Sequence, residues 1–388
     1  MRFVLSSIAS AVFVTAAFAA GATAPASFLV TNDDVGAVLN SNTATFYTIG
    51  ATGALTMNAS VATGGSGVAG GYFAANRILV APPGQPDCLY VSDAQSEDIA
   101  GILLPGQTVT GNFQASATDT ATTNGIGLAA NANYLYASYT GSSTIATFQV
   151  QTGCALAFAG DILAVGLNGG LISGMALYNN MMIATYGDGS IESFDISAGV
   201  PVSNNDAQNA TGLQKDHLPN GIDITQDGHY AIFGDASPFA NVEVSDISSG
   251  KLTPTVAYTV GKAWNSGNVR LSPDETVLYI ADSSGGRVTA AFFDKTTGAV
   301  TKGCTSPPLG GFYSKFSYAG ELALQLNTGA GGLIYVPEFG SGSKSFIGVL
   351  QFTSTGTSCT LTEAAGSPVA GAPNSALLSI GVYPPRAF

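Results

Sequence analysis

NVRLSPDETVLYIADSSGGRVTAAFFDKTTGAVT, residues 268–301, decides how the rest of the chain is read. VRL runs into the turn SPDE, VLYIAD into SSGG, and VTAAFF into DKTTG, before a closing AVT. Short β-branched or alternating apolar runs, each ended by Pro, Gly, Asp or Ser, are the pattern of antiparallel strands in a meander. Such a sheet has two faces and cannot bury both alone, so it requires neighbours of the same kind.

The chain supplies them. Strands matching LYIAD recur as FLVTN ending at Asn32, LYVSD at Asp93, LYASY at Tyr139, MIATY at Tyr186, AIFGD at Asp235, LYIAD at Asp282 and IYVPE at Glu338. From Asp93 to Asp282 the steps are 46, 47, 49 and 47 residues. A fixed period of this length with four strands per unit signals a β-propeller, here all-β with seven four-stranded antiparallel blades. The innermost strand repeats as ANRILV from Ala75, TNGIGLA from Thr123, ISGMAL from Ile172, PNGIDIT from Pro219 and SGNVRLS from Ser266, and blade seven draws on residues 321–326. Blade one, starting at Phe28, lacks its own copy, and an extra one, PNSALLSIGV, stands at 373–382. The C-terminal strand is therefore expected to pair into blade one and close the ring, which removes exposed sheet edges.

At 388 residues the chain is longer than one ordinary core, and only 10% of its residues are charged, as strands buried on both faces require. The formal net charge of −13, with 12 Lys and Arg, repels phosphate backbones, so no nucleic-acid partner is expected. The start, MRFVLSSIASAVFVTAAFAAG, has Arg2, an apolar core from Phe3 to Phe18 and small residues at Ala17, Ala19 and Ala20. It reads as a signal peptide over residues 1–19, leaving a single domain over 20–388 that is secreted, periplasmic or extracellular. No membrane span is expected in the mature chain, because the apolar run 165–187 is broken by Asn168, Asn179 and Asn180.

In an exported chain the four cysteines are expected to be bridged. Adjacency of blades favours Cys88–Cys154 and Cys304–Cys359, although four cysteines allow three connectivities. Cys88 is expected to open a second strand, and Cys154 and Cys359 outer strands. No CxxC is present and there are two His, so neither a metal site nor a cofactor is expected. Two sequons, Asn58-Ala59-Ser60 and Asn209-Ala210-Thr211, bear on the mature chain in a eukaryotic secretory pathway.

Loops from outer to inner strands share a face, the mouth, with turns from second to third strands. Three sets of residues collect there. Acids follow the second strands: Asp33, Asp34, Asp93, Asp188, Asp235, Asp282 and Glu338. They either converge on a cation or cap their own turns, and their repetition favours capping. Small polar residues open the inner strands at Asn76, Asn124, Ser173, Asn220, Asn268 and Asn374, either ringing the entrance or serving as turn residues. The third set repeats least. LQKDHLPNG brings Lys215, Asp216 and His217 before blade five, VGKAWNSGN brings Lys262, Trp264 and Asn265 before blade six, and GGFYSKFSY brings Phe312, Tyr313 and Lys315 before blade seven. Binding residues gather on such loops over a rigid scaffold, so these, with Asn220, are the candidate ligand-binding residues.

PNGIDITQDG, LSPDETVLYIAD and FDKTTGAVT together resemble the YVTN-repeat propellers, and are similar to the seven-bladed lactonase superfamily that includes 6-phosphogluconolactonase. The resemblance covers the mature chain and implies the fold. It also implies His, Arg and acidic side chains at the mouth of enzymes, carried by a Pro-Arg-His strand motif. Here the corresponding stretches read Pro219-Asn220-Gly221 and Ser266-Gly267-Asn268. The leading expectation is therefore a non-catalytic binding or scaffold protein for a small polar ligand, a saccharide or a protein partner. The alternative is a lactone hydrolase with His217 as general base beside Asp216 and a Lys at the oxyanion.

Overall fold

The computed structural model describes residues 27–36, 38–68, 74–121, 125–210, 219–236, 241–261, 266–282, 285–310, 318–319, 321–328, 331–340, 344–377 and 379–385. These residues form seven antiparallel sheets arranged as blades. Blade six is the sheet of Ser266–Leu271, Val277–Asp282, Arg287–Asp294 and Ala299–Thr305, the meander of the opening stretch. No described helix is long and apolar enough to cross a membrane.

The second strands explain why the charge is so low. Cys88–Asp93, Met181–Tyr186, Tyr230–Asp235 and Val277–Asp282 are buried at every position. Side chains alternate across a strand, so each strand feeds two cores. Tyr279 and Ala281 pack with Ile334 and Phe352 of blade seven, whereas Leu278 and Ile280 pack with Ile232 and Val244 of blade five. There is one such core per pair of neighbouring blades, and the seven clusters include one that joins blade seven to blade one through Tyr335, Ile347, Leu29 and Tyr47. Burying each large aliphatic side chain stabilises by roughly 1.5–3 kcal/mol, so these interfaces dominate the stability.

Residues Ser379–Tyr383 pair antiparallel with Phe28–Asn32, and the order in that sheet puts this C-terminal strand innermost. Tyr383 stacks on Phe28 with ring centroids 5.0 Å apart.

Both cysteine pairs join neighbouring blades, Cys88 to Cys154 and Cys304 to Cys359, with Cα atoms 5.5 and 5.6 Å apart. Closing loops of 66 and 55 residues restricts the unfolded chain by about 4 kcal/mol each. Cys88 and Cys359 open strands as expected. Cys154 does not: it ends the 3-10 turn Thr152–Cys154 ahead of the outer strand Leu156–Leu163, because Gly153 takes the left-handed conformation (φ 72°). Two blades depart from four plain strands. In blade four the outer strand is broken into Val202–Ser203 and Gln208–Asn209, and in blade seven Tyr318–Ala319 and Ala323–Thr328 share the inner position. In blade four the Asp206 carboxylate bridges the break, accepting from the Ser193 amide and hydroxyl.

Candidate functional site at the channel and mouth

Lys215, Asp216, His217, Lys262, Trp264, Asn265, Phe312, Tyr313 and Lys315 lie outside the described residues. So does Asn124, as does the side chain of Asn220, whose backbone belongs to the strand Pro219–Ile224. What the described residues show is the centre of the ring, where the inner strands meet.

Five of the acids after the second strands divide into two kinds. Asp188 caps its own turn through the Ser190 amide and hydroxyl and also holds the preceding loop, accepting from the amides of Asn168 and Gly170. Burial pushes its pKa up, but these four bonds outweigh it and the net shift is downward. Asp282 likewise takes the Gly285 amide at 3.0 Å. Asp33, Asp34 and Asp93 instead bind strands together. Asp33 accepts from Thr31, Thr43 and Thr45 at 2.5–2.6 Å, and its burial raises its pKa. Asp93 accepts from Asn42 and Thr63 of blade one at 2.6 and 2.9 Å, which latches blade two to blade one. Its burial, with the opposing Asp98 adding repulsion, pushes its pKa up to about 8. The turn-capping expectation is thus right for Asp282 and in part for Asp188, and wrong for these three, whose donors lie on neighbouring strands and blades.

This fixes a pH dependence. The unfolded Asp93 ionises near its ordinary 3.8, whereas the native group holds its proton to about 8. The native state therefore binds more protons between those values, and stability falls as pH rises from about 4 to about 8, by no more than ~1.4 kcal/mol per unit. Asp33 and Glu321, also raised by burial, act in the same sense. Urea midpoints are expected to fall across that window, and Asp93→Asn to flatten the slope; an unchanged slope in the variant refutes this assignment.

The ring's interior is filled by its own chain. Residues 74–77, just before the inner strand Ile78–Val80 of blade two, reach across the channel. The Ala75 amide donates to the Ser173 carbonyl of blade four at 3.0 Å, and the Asn76 carbonyl accepts from Leu128 of blade three at 2.8 Å. Asn76 itself, held in the left-handed conformation (φ 58°), accepts from Arg270 of blade six. Arg77 donates from its backbone to Glu321 at 3.2 Å, and from its guanidinium to Asp34 at 3.0 Å and to the Ala74 carbonyl at 3.2 Å. Glu321 is closed from the other side by the Ser379 hydroxyl of the C-terminal strand. Gly127 is required opposite this segment, since a Cβ there would lie 2.7 Å from the Ala75 carbonyl oxygen.

Arg77 and Asp34 are each 2% exposed, and Glu321 5%. Burial raises the Glu321 pKa, opposed by the Ser379 bond and by Arg270 and Arg77. Two guanidinium groups and two carboxylates thus meet inside the ring, where pairing offsets the cost of removing each from water. Chemically this is a compensated, buried cluster that links blades one, two, six and seven. Of the small polar residues, Asn76 joins it, whereas the Ser173 hydroxyl bonds Thr185 at 2.9 Å and Asn268 is buried. Asn374 is exposed, away from the cluster. Reading the sequence misses Arg77, Arg270 and Glu321 as a group. The available signal is an arginine inside two inner strands, ANRILV and NVRLS, in a chain with 12 Lys and Arg in all.

No family model matches the chain, and no curated protein sequence matches it. Solved structures do. A protein of Bacteroides uniformis described as a "putative 6-phosphogluconolactonase" superposes with a TM-score of 0.69 at 13% identity, over 92% of this chain and 98% of that one. A counterpart from Bacteroides fragilis gives 0.64 at 13%, over 94% and 99%. The chain has their fold. A hypothetical selenium-binding protein of Sulfolobus tokodaii gives 0.64 at 8% identity, over 92% and 93%. At these identities the likeness extends to the propeller and not to the chemistry.

Proposed function

We propose that this propeller is an exported, non-catalytic binding protein that holds a small polar ligand, a saccharide or a protein partner on the mouth loops before blades five to seven. The observation that carries this reading is the occupied channel. Arg77 and Arg270, the cations an anionic lactone or its oxyanion would need, are turned inward onto Asp34 and Asn76. With these side chains engaged among themselves, the mouth loops are the surface this reading assigns to a ligand. Lys215, Asp216, His217, Asn220, Lys262, Trp264, Asn265, Tyr313 and Lys315 combine aromatic faces with donors and acceptors, the composition of a polar-ligand site. The apolar leader and the two disulfides support export.

The second reading, lactone hydrolysis with His217 as base, draws support from the shared fold with the Bacteroides proteins. One experiment separates them. Across a panel of sugar and aryl lactones, the purified protein is expected to show no turnover above His217→Ala. Activity lost roughly 10²–10⁴-fold in that variant would establish the hydrolase instead. For binding, the emission of Trp264, the single Trp of the chain, is expected to shift with an oligosaccharide or peptide of a broad panel. A flat response to all of them would remove the mouth as the site.

A further inference from the structure

The two sequons are equivalent on paper and different in the fold. Asn58 lies in the outer strand Leu55–Ala62 of blade one, at the rim of the disc. Phe46 pairs with Ala59 and Tyr47 with Met57, so Asn58 is the extra residue of a β-bulge. A bulged residue stands outside the ladder. Asn58 and Ser60 are both exposed, and among the described residues the Asn58 carboxamide makes no hydrogen bond. Comparable bulges fall between the third and outer strands of blades two, three and six, so the kink belongs to the fold and the asparagine is additional.

Asn209 is placed differently. It pairs with Ser190 in blade four, and its carboxamide oxygen is buried. The next residue, Ala210, is 0% exposed and donates its amide to the Gly189 carbonyl at 2.8 Å. Asn209 is thus half-buried and held in the ladder at the edge of blade four, whereas Asn58 stands clear of its ladder.

We propose that Asn58, and not Asn209, carries an N-linked glycan in the folded protein. The proposal rests on the reading that the chain is exported, through a pathway that supplies a dolichyl-diphosphate-linked oligosaccharide. In the transfer, the Asn58 amide nitrogen bonds to C1 of the donor's first sugar. The C1–O bond breaks, dolichyl diphosphate leaves with its electron pair, and the amide gives up one proton. The product stands over the outermost strand of blade one, covering Met57, which is 46% exposed, and the unpaired strand edge.

The test is secretion of the full chain from a yeast, once from its own leader and once behind a proven secretion leader. Treatment of the secreted protein with an N-glycosidase is expected to reduce its mass by a single glycan, and peptide mapping to place it on Asn58. Asn58→Gln and, independently, Ser60→Ala are expected to abolish the shift, while Asn209→Gln leaves it. A folded, secreted chain with Asn58 bare, or with a glycan on Asn209, overturns the proposal. Secretion behind the proven leader alone, with Asn58 modified, overturns the export reading and leaves the glycan site standing.

Discussion

A chain ending at Ala372 is expected to lose its cooperative unfolding transition and to collect as aggregate. Three anchors are removed with residues 373–388: Leu377, Ile380 and Val382 are 0%, 4% and 7% exposed. At roughly 1.5–3 kcal/mol each, their burial is comparable to the net stability of about 5–15 kcal/mol that folded domains possess. The truncation also strips the inner edge from Phe28–Asn32 and takes the Ser379 hydroxyl from Glu321, leaving open strand edges on blade one. Differential scanning calorimetry of the truncated and full chains decides the matter. An unchanged melting transition would show that blade one stands without this strand.

Replacing Arg77 is expected to be the most damaging single substitution in the channel. Arg77→Met keeps much of the side-chain volume but leaves Asp34 buried at 2% exposure without the guanidinium 3.0 Å away. Breaking a buried pair from one side costs about 3–5 kcal/mol, because the remaining charge stays out of water. Arg77→Met combined with Asp34→Asn is expected to recover part of that loss, since no unpaired charge remains. Guanidinium unfolding of both singles and the double closes the cycle. A single variant within 1 kcal/mol of wild type would mean that the cluster is solvated and the channel open.

The two experiments probe different kinds of legibility. Blade number and strand order are local or periodic properties, and blade adjacency favoured the cysteine pairs that the structure shows. A run such as LYIAD announces a strand buried on both faces, and a step of 46 to 49 residues announces a repeat, whatever surrounds it. The extra PNSALLSIGV copy could be counted without coordinates because a ring needs as many inner strands as second strands. The glycan proposal lies between the two: both sequons are visible in the sequence, and only the bulge at Asn58 and the ladder at Asn209 separate them.

The channel was not legible. Asn76 and Arg77 are 194 and 193 residues from Arg270 in sequence, and 244 separate Arg77 from Glu321, so no window or period relates them. They meet because closing a ring of blades brings every inner strand to one axis. There the low dielectric makes any unpaired charge costly, so arginines that a linear reading assigns to ordinary strands are drawn into mutual pairing. The same closure converted Asp33, Asp34 and Asp93 from turn caps into buried acceptors. In the stretch at 268–301, alternation and turn residues were enough to place the four strands as one blade of seven. The bond from its Arg270 to Asn76 of blade two was beyond that pattern, since the contact exists only once the ring is complete.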